Sequence, residues 1–330
     1  MSLRLTRAVR ACLTISVAAL LVPAVRAASF DCGAASSPIE HAICDDPQLS
    51  ALDSELAVAY RNAVKGQGGS ADRLRAEQRA WLKSRALGGK ADLSALKGAY
   101  RARIDELKTI PAFPSPEAPV EGPTFRLTRA AKQHDFVLRM LEACDEPSCE
   151  GPAQLLVYGK GQTKPLQTIN VSNVVVSRQT DGGAPIAKAA RGYDDEGVLN
   201  VGDFDFDGYE DFAVQTTDHE GSYGGPSYEV YLFEPKTGRF AYNDAMTGLA
   251  LESLGFFDVD AAHKRIRTFA KGGCCYHVLT TYEIQHDVPI AVARHTEDAL
   301  NAVDGKMQII DEQLVNGMWR KKIRYEPLPD

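Results

Sequence analysis

Residues 203–211 read Asp203-Phe-Asp205-Phe-Asp207-Gly208-Tyr209-Glu210-Asp211. Alternate aspartates place three carboxylates on one side of a tight loop, and Gly208 permits the sharp turn. The Tyr209 carbonyl and the Asp211 carboxylate can complete an all-oxygen cage, the surrounding that a hard cation such as Ca²⁺ prefers. The run begins like an EF-hand loop. However, Val214 stands where the twelfth-position glutamate belongs, and no helical pattern flanks the loop. Carboxylates this crowded repel one another without a cation, so Ca²⁺ is the expected cofactor. Its expected role is to fix a loop, not to catalyse.

Enzyme motifs are scarce. His219-Glu220 opens a zinc-protease pattern, but Tyr223 occupies the place of the second histidine. Ser227 has Gly225 two residues before it but Glu229 two residues after it, so the nucleophile elbow is absent. Asp218 and Glu220 could be drawn as a glycosidase pair, and His277 as a metal ligand. A paired structural role suits His277 better, and Trp81 and Trp319 are simplest as core residues. Asn170-Val-Ser172 is a glycosylation sequon with meaning only in a eukaryotic host. The stretch from Asp218 to Tyr228 is irregular, with Tyr223 between Gly221 and the pair Gly224-Gly225. It follows the cation loop directly, and loops held by a rigid scaffold are where function concentrates.

These candidates need a compartment and a scaffold. Arg4, Arg7 and Arg10 precede an apolar run from Ala11 to Val25, and small residues flank Arg26. That is the pattern of a secretory signal peptide over residues 1–27, too short to span a bilayer. No other run is long and apolar enough to span, so a periplasmic or secreted protein is expected. The whole chain has net charge −7; without residues 1–27 it holds 33 basic and 44 acidic residues, or −11. Such an excess disfavours nucleic acid and would steer a basic partner. Six cysteines remain after the leader, and in an exported chain they read as disulfides. Their spacing clusters them as Cys32 with Cys44, Cys144 with Cys149, and Cys274 beside Cys275. The last two form a vicinal ring, pair elsewhere or stay reduced; the ring ranks first because the other four already have neighbours.

The expected organisation is multidomain α+β. A small helical domain at 28–110 is followed by a proline-rich linker at 111–123 and a larger antiparallel β-rich domain, sandwich or barrel-like, at 124–330. Ser37-Pro38-Ile39-Glu40 is a capping box, and Asp46-Pro47 restarts a second helix with Leu49, Leu52, Leu56, Tyr60 and Val64 on one face. Leu74, Trp81 and Leu82 make a third face; Leu93, Leu96, Tyr100, Ile104 and Leu107 make a fourth. Beyond the linker the period changes to two, in about a dozen candidate strands with no convincing long helix.

Residues 31–107 resemble the LprI-type lysozyme-inhibitor domain of exported bacterial proteins. The resemblance is carried by Phe30-Asp31-Cys32, Pro38-Ile-Glu with Ile43-Cys44, Leu52-Asp53-Ser-Glu-Leu56, Ala76-Glu-Gln-Arg-Ala-Trp81 with Arg85, and Tyr100-Arg-Ala-Arg-Ile104. Family members usually carry a second cysteine pair after the tryptophan helix, and 86–96 has none. Residues 200–285 resemble periplasmic immunity proteins against peptidoglycan-hydrolase effectors of type IV secretion. That likeness rests on Asp203 to Tyr209, on Tyr223-Gly-Gly-Pro-Ser-Tyr228, and on Gly273-Cys-Cys-Tyr-His277. It implies a calcium-bearing β-structure similar in fold to invertebrate-type lysozyme inhibitors.

The reading is therefore a non-enzymatic exported protein that binds and inhibits a lysozyme-like peptidoglycan hydrolase, with Tyr223, Gly224, Gly225 and Tyr228 in the inhibitory loop. The alternatives are a calcium-dependent envelope hydrolase and a structural or carbohydrate-binding envelope protein.

Overall fold

The computed structural model describes residues 28–67, 71–85, 92–127, 131–144, 148–177, 197–216 and 227–328. The leader at 1–27 lies outside them, as do residues 218–226.

A 3₁₀ turn at Cys32–Ala34 leads into helices α1 (Pro38–Asp45), α2 (Pro47–Gly66), α3 (Asp72–Ser84) and α4 (Leu93–Thr109). Caps define their starts. Ser37 Oγ accepts from the Glu40 N–H at 3.2 Å, and the Glu40 carboxylate accepts from the Ser37 N–H at 2.9 Å. Asp46 accepts from the N–H groups of Gln48 and Leu49, starting α2 one residue after α1 stops. Ile43, Leu49, Leu56, Leu74, Leu96, Tyr100, Ile104 and Leu107 form a buried core. Leu82 and Leu93 do not join it, being 39% and 42% exposed. Leu82 lies about 100° around α3 from Trp81, which does face the core, and Leu93 stands in the first turn of α4. So small a core gains from the Cys32–Cys44 bridge, which on the loop-entropy argument adds ~3 kcal/mol.

Residues 111–123 hold no helix or strand, only a turn closed by the Ala118 N–H on the Ser115 carbonyl at 2.9 Å, yet they are not a free spacer. The Phe113 N–H donates to the Gly66 carbonyl at 2.9 Å, Gln154 Nε2 to the Pro114 carbonyl at 2.8 Å, and Arg139 to the carbonyls of Pro116 and Ala118. Gly122 passes so close to the carbonyls of Met140 and Glu142 that a Cβ would lie under 3.0 Å from both. Only glycine fits there.

The rest is three antiparallel meanders. The first sheet is β1 (Thr124–Leu127), β2 (His134–Met140), β3 (Ser148–Gly159) and β4 (Gln167–Ser177). The second is β5 (Leu199–Gly202), β6 (Asp211–Thr216), β7 (Ser227–Glu234) and β8 (Arg239–Tyr242). The third is β9 (Asp258–Asp260), β10 (Arg265–Lys271), β11 (Tyr276–Gln285), β12 (Val288–Val303), β13 (Lys306–Val315) and β14 (Met318–Pro327). The first two sheets share a core that includes Leu138, Leu155, Val157, Phe212, Val214 and Phe240. Ala213, Val230 and Leu232 lie in a second core with Phe204, Phe257, Ile266 and helix α5 (Asp244–Glu252). Strands β6 and β7 are therefore buried on both faces.

Helix α5 escapes the sequence pattern because it is short and holds Thr247 and Gly248, both weak helix formers. Asn243 caps it by accepting from the Met246 N–H at 2.8 Å. A further correction concerns Trp319. It is no core residue but lies 44% exposed on the edge strand β14. Trp81, by contrast, is half-buried against Tyr100, ring centroids 5.1 Å apart and edge-on.

Candidate functional site

The aspartate loop joins β5 to β6. Phe204 is buried and Phe206 half-buried in the second core, and these two rings anchor the loop from below. Two residues take positive φ, Gly208 at 95° and Phe206 at 65°. The second value is uncommon for a bulky side chain and needs the surrounding packing to hold it. With the rings turned inward, the alternating aspartates turn toward one another. One carboxylate oxygen from each of Asp203, Asp205 and Asp211 lies within 4.8 Å of the others.

The electrostatics are those of crowded anions. Burial, aided by neighbouring carboxylates, pushes Asp211 up to about 8 and Asp205 up to about 6. Asp203 Oδ2 accepts from the Gly208 N–H at 3.0 Å, whereas its buried Oδ1 has no hydrogen-bond partner among the described residues. A buried acceptor without a donor, beside two carboxylates whose charge is disfavoured, is the donor set a hard cation satisfies. The residues present therefore fit Ca²⁺. Asp211 also has a structural role, because its two oxygens accept from the N–H groups of Phe204 at 2.7 Å and Phe233 at 2.8 Å and so tie the loop to β7.

Of the side chains expected to join them, Asp207 is not in that trio. Asp207 Oδ1 accepts from the Tyr209 N–H at 2.8 Å, closing the turn. The Tyr209 ring is 38% exposed and lies 5.3 Å from that of Phe233.

Tyr223, Gly224 and Gly225 lie outside the described residues. Tyr228 begins β7 and is 1% exposed, its ring edge-on to Phe256 at 5.0 Å. Its side chain is a core element and presents no surface for docking. Ser227 is buried beside it. Asn170 of the sequon is buried too, with Nδ2 donating to the Gln67 carbonyl at 2.7 Å, so no glycan can be attached there in the folded protein. His277 Nδ1 is 3.2 Å from Glu297 and its ring 5.7 Å from Phe269. The structure joins Cys32 to Cys44, Cys144 to Cys149 and Cys274 to Cys275.

In the helical region, Asp53, Trp81, Arg85 and Tyr100 form one network. Buried Asp53 accepts from Tyr100 Oη at 3.0 Å and from the Ser29 N–H at 2.8 Å, and Arg85 donates to Tyr100 Oη. Burial, above all, pushes the Tyr100 hydroxyl well above its ordinary value. Arg85 also lies over both rings, 5.4 Å from Trp81 and 5.5 Å from Tyr100. The network ties the start of the described chain to α2, α3 and α4. Residues 32–108 match the family Lysozyme inhibitor LprI. The LprI region covers about a quarter of the chain; of its motif residues Asp53, Leu56, Tyr100 and Ile104 are buried, whereas Glu55, Arg79 and Arg101 are exposed. No curated protein matches the chain. Among solved structures, a Xanthomonas type IV secretion system related protein is similar at 21% identity and a TM-score of 0.47, covering 62% of this chain and 96% of that one. A likeness at that level carries no weight on function.

Sequence reasoning found the aspartates but missed Phe233, whose N–H anchors Asp211. It also missed Arg73 of α3, which pairs with Glu229 of β7 and donates to Ser172 of β4 at 2.5 Å. Nothing local in either segment signals these partners.

Proposed function

We propose that this protein is an exported, non-catalytic inhibitor of a lysozyme-like peptidoglycan hydrolase, in which Ca²⁺ held at Asp203, Asp205 and Asp211 fixes the β-rich region. The match of residues 32–108 to the LprI lysozyme-inhibitor family carries this reading. The leader pattern and the acidic remainder of the chain agree with it, because lysozyme-like targets are commonly basic.

The inward orientation of Asp53, Arg85 and Tyr100 bears on where a target is held. Asp53, Arg85 and Tyr100 are committed to the helical core, so the contact surface must come from other residues. Residues 218–226 lie between β6 and β7 in the sequence, and β6 starts at Asp211 of the proposed cation cage. Tyr223 is the proposed anchor. A tyrosine has a flat apolar body, a hydroxyl to meet a catalytic carboxylate, and little rotamer freedom to lose. Ca²⁺ would hold the root of β6 and reduce the ordering cost on association.

The test is titration of the chain from residue 28 onward into a panel of peptidoglycan hydrolases while cell-wall lysis is followed. Stoichiometric loss of one hydrolase's activity is the expected outcome. Turnover of cell wall by the protein itself, abolished by a single carboxylate substitution, would instead make it an enzyme.

A further inference from the structure

The third sheet outgrows the core. Its inner strands carry Ile266, Thr268, Thr280 and Thr296, all buried, but β14 has no buried residue. Met318 is 65% exposed, Trp319 44%, Ile323 47% and Tyr325 49%. Four cations stand among them, Arg320, Lys321, Lys322 and Arg324, in a chain of net charge −7. The register with β13 splits the strand into two rows. Trp319, Ile323 and Tyr325 lie opposite Leu314, Ile310 and Gln308 on one face, while Met318, Arg320 and Lys322 lie opposite Val315, Gln313 and Asp311 on the other. As the sheet's edge, β14 presents both rows at once. Arg324 is tied to Asp311 and Glu326, but Arg320, Lys321 and Lys322 make no ion pair with any described residue. Beside them a groove of about 410 Å³ is lined by Leu279 and Val315, by Arg294, Arg320 and Lys322, and by the carboxylates of Asp311 and Glu312, so the cations are in excess there.

Charged residues alone would be ordinary protection of an edge strand against pairing. That accounts for the lysines and arginines but not for four large apolar side chains left in water among them. We propose that β14 and the adjoining groove dock on an anionic phospholipid bilayer, with Trp319 and Tyr325 at headgroup depth, Met318 and Ile323 deeper, and the cations on the lipid phosphates. Trp and Tyr favour this interface, and each Lys or Arg near an anionic leaflet adds to the attraction. A soluble anionic polymer would offer the cations a partner but the apolar row no apolar phase. Two copies paired edge to edge would set like charges directly opposite one another. The acidic bulk of the chain, repelled by the same leaflet, would orient the molecule with β14 downward.

Sedimentation with vesicles tests this, using the chain from residue 28 so that the apolar leader takes no part. Phosphatidylglycerol-containing vesicles should carry the protein down and pure phosphatidylcholine vesicles should not, with binding weakening as salt rises toward 1 M. The combined substitution R320Q/K321Q/K322Q should weaken binding about 100-fold. The matched set R61Q/R79Q/R101Q, exposed positions on the helices, should leave it unchanged. The fluorescence of Trp319 should shift to the blue on anionic vesicles, and W319F should abolish that shift. This reading of the parent protein stands even if the triple variant folds poorly. No binding to anionic vesicles, equal binding to neutral ones, equal loss in the matched set, or a dimer in solution that W319A dissociates would each overturn the proposal.

Discussion

The guanidinium of Arg73 on α3 lies 3.1 Å from the carboxylate of Glu229 on β7, clamping the helical region to the middle sheet. Glu229 is 5% exposed, accepts from Tyr231 Oη at 2.7 Å, and raises the proton affinity of Arg73. Arg73 also pairs with Glu77 on its own helix at 2.9 Å. Breaking a buried pair from one side costs more than the pair itself contributes, since a desolvated charge is left behind. Arg73→Ala should therefore destabilise the protein by ~3 kcal/mol in urea unfolding. Arg73→Met combined with Glu229→Leu should recover most of that loss. Equal destabilisation by the single and double variants would show that the charge pair is not what joins the two regions.

Calcium should raise the melting temperature. At 100 times the dissociation constant the gain is ~2.7 kcal/mol. Asp203→Asn should reduce the calcium-dependent shift while leaving the fold in place, because Asp203 Oδ1 has no hydrogen-bond partner to lose among the described residues. Asp211→Ala is a poorer probe, since it strands the N–H groups of Phe204 and Phe233. Identical melting in calcium and in chelator would rule out the cation.

Glu40 supplies a pH dependence. The N–H groups of Ser36 and Ser37 hold its carboxyl at about 2, below its ordinary 4.5. A folded value below the unfolded one means that the contribution is full above pH 4.5 and is lost as pH falls through about 2. Glu40→Gln should accordingly melt lower than the parent at pH 7, and the gap should close on acidification. A gap that is the same at pH 7 and pH 2 would place the effect outside ionisation of the cap.

For the inhibitory loop, Tyr223→Ala should weaken inhibition by about 30- to 1,000-fold with the fold intact. Tyr228→Ala is the contrast. It removes a buried aromatic and should cost ~3 kcal/mol of stability, so any loss of inhibition there should follow the loss of folded protein. If Tyr223→Ala blocks a target as well as the parent does, the contact lies on another surface.

Much of this architecture is written locally. The caps at Ser37 and Asp46, the 3.6-residue spacing through Leu49, Leu56, Tyr100 and Ile104, and the alternation in β1 each depend on a few neighbouring residues. The aspartate run from 203 to 211 is legible as a pattern, but which carboxylates meet depends on the packing of Phe204 and Phe206 beneath them, which leaves Asp207 out of the trio. Contacts across long separations were not legible. That residues 111–123 are pinned by Arg139 and Gln154, that Asp211 bridges to Phe233, and that Arg73 meets Glu229 are matters of which surfaces come to rest on one another. Trp319 shows the limit most clearly. Its residue type and strand pattern suit a core position, yet its place at the sheet's edge leaves it exposed. Hydrophobicity states which side chains gain from burial, but only the order of strands in the folded sheet decides which of them find a layer to be buried against.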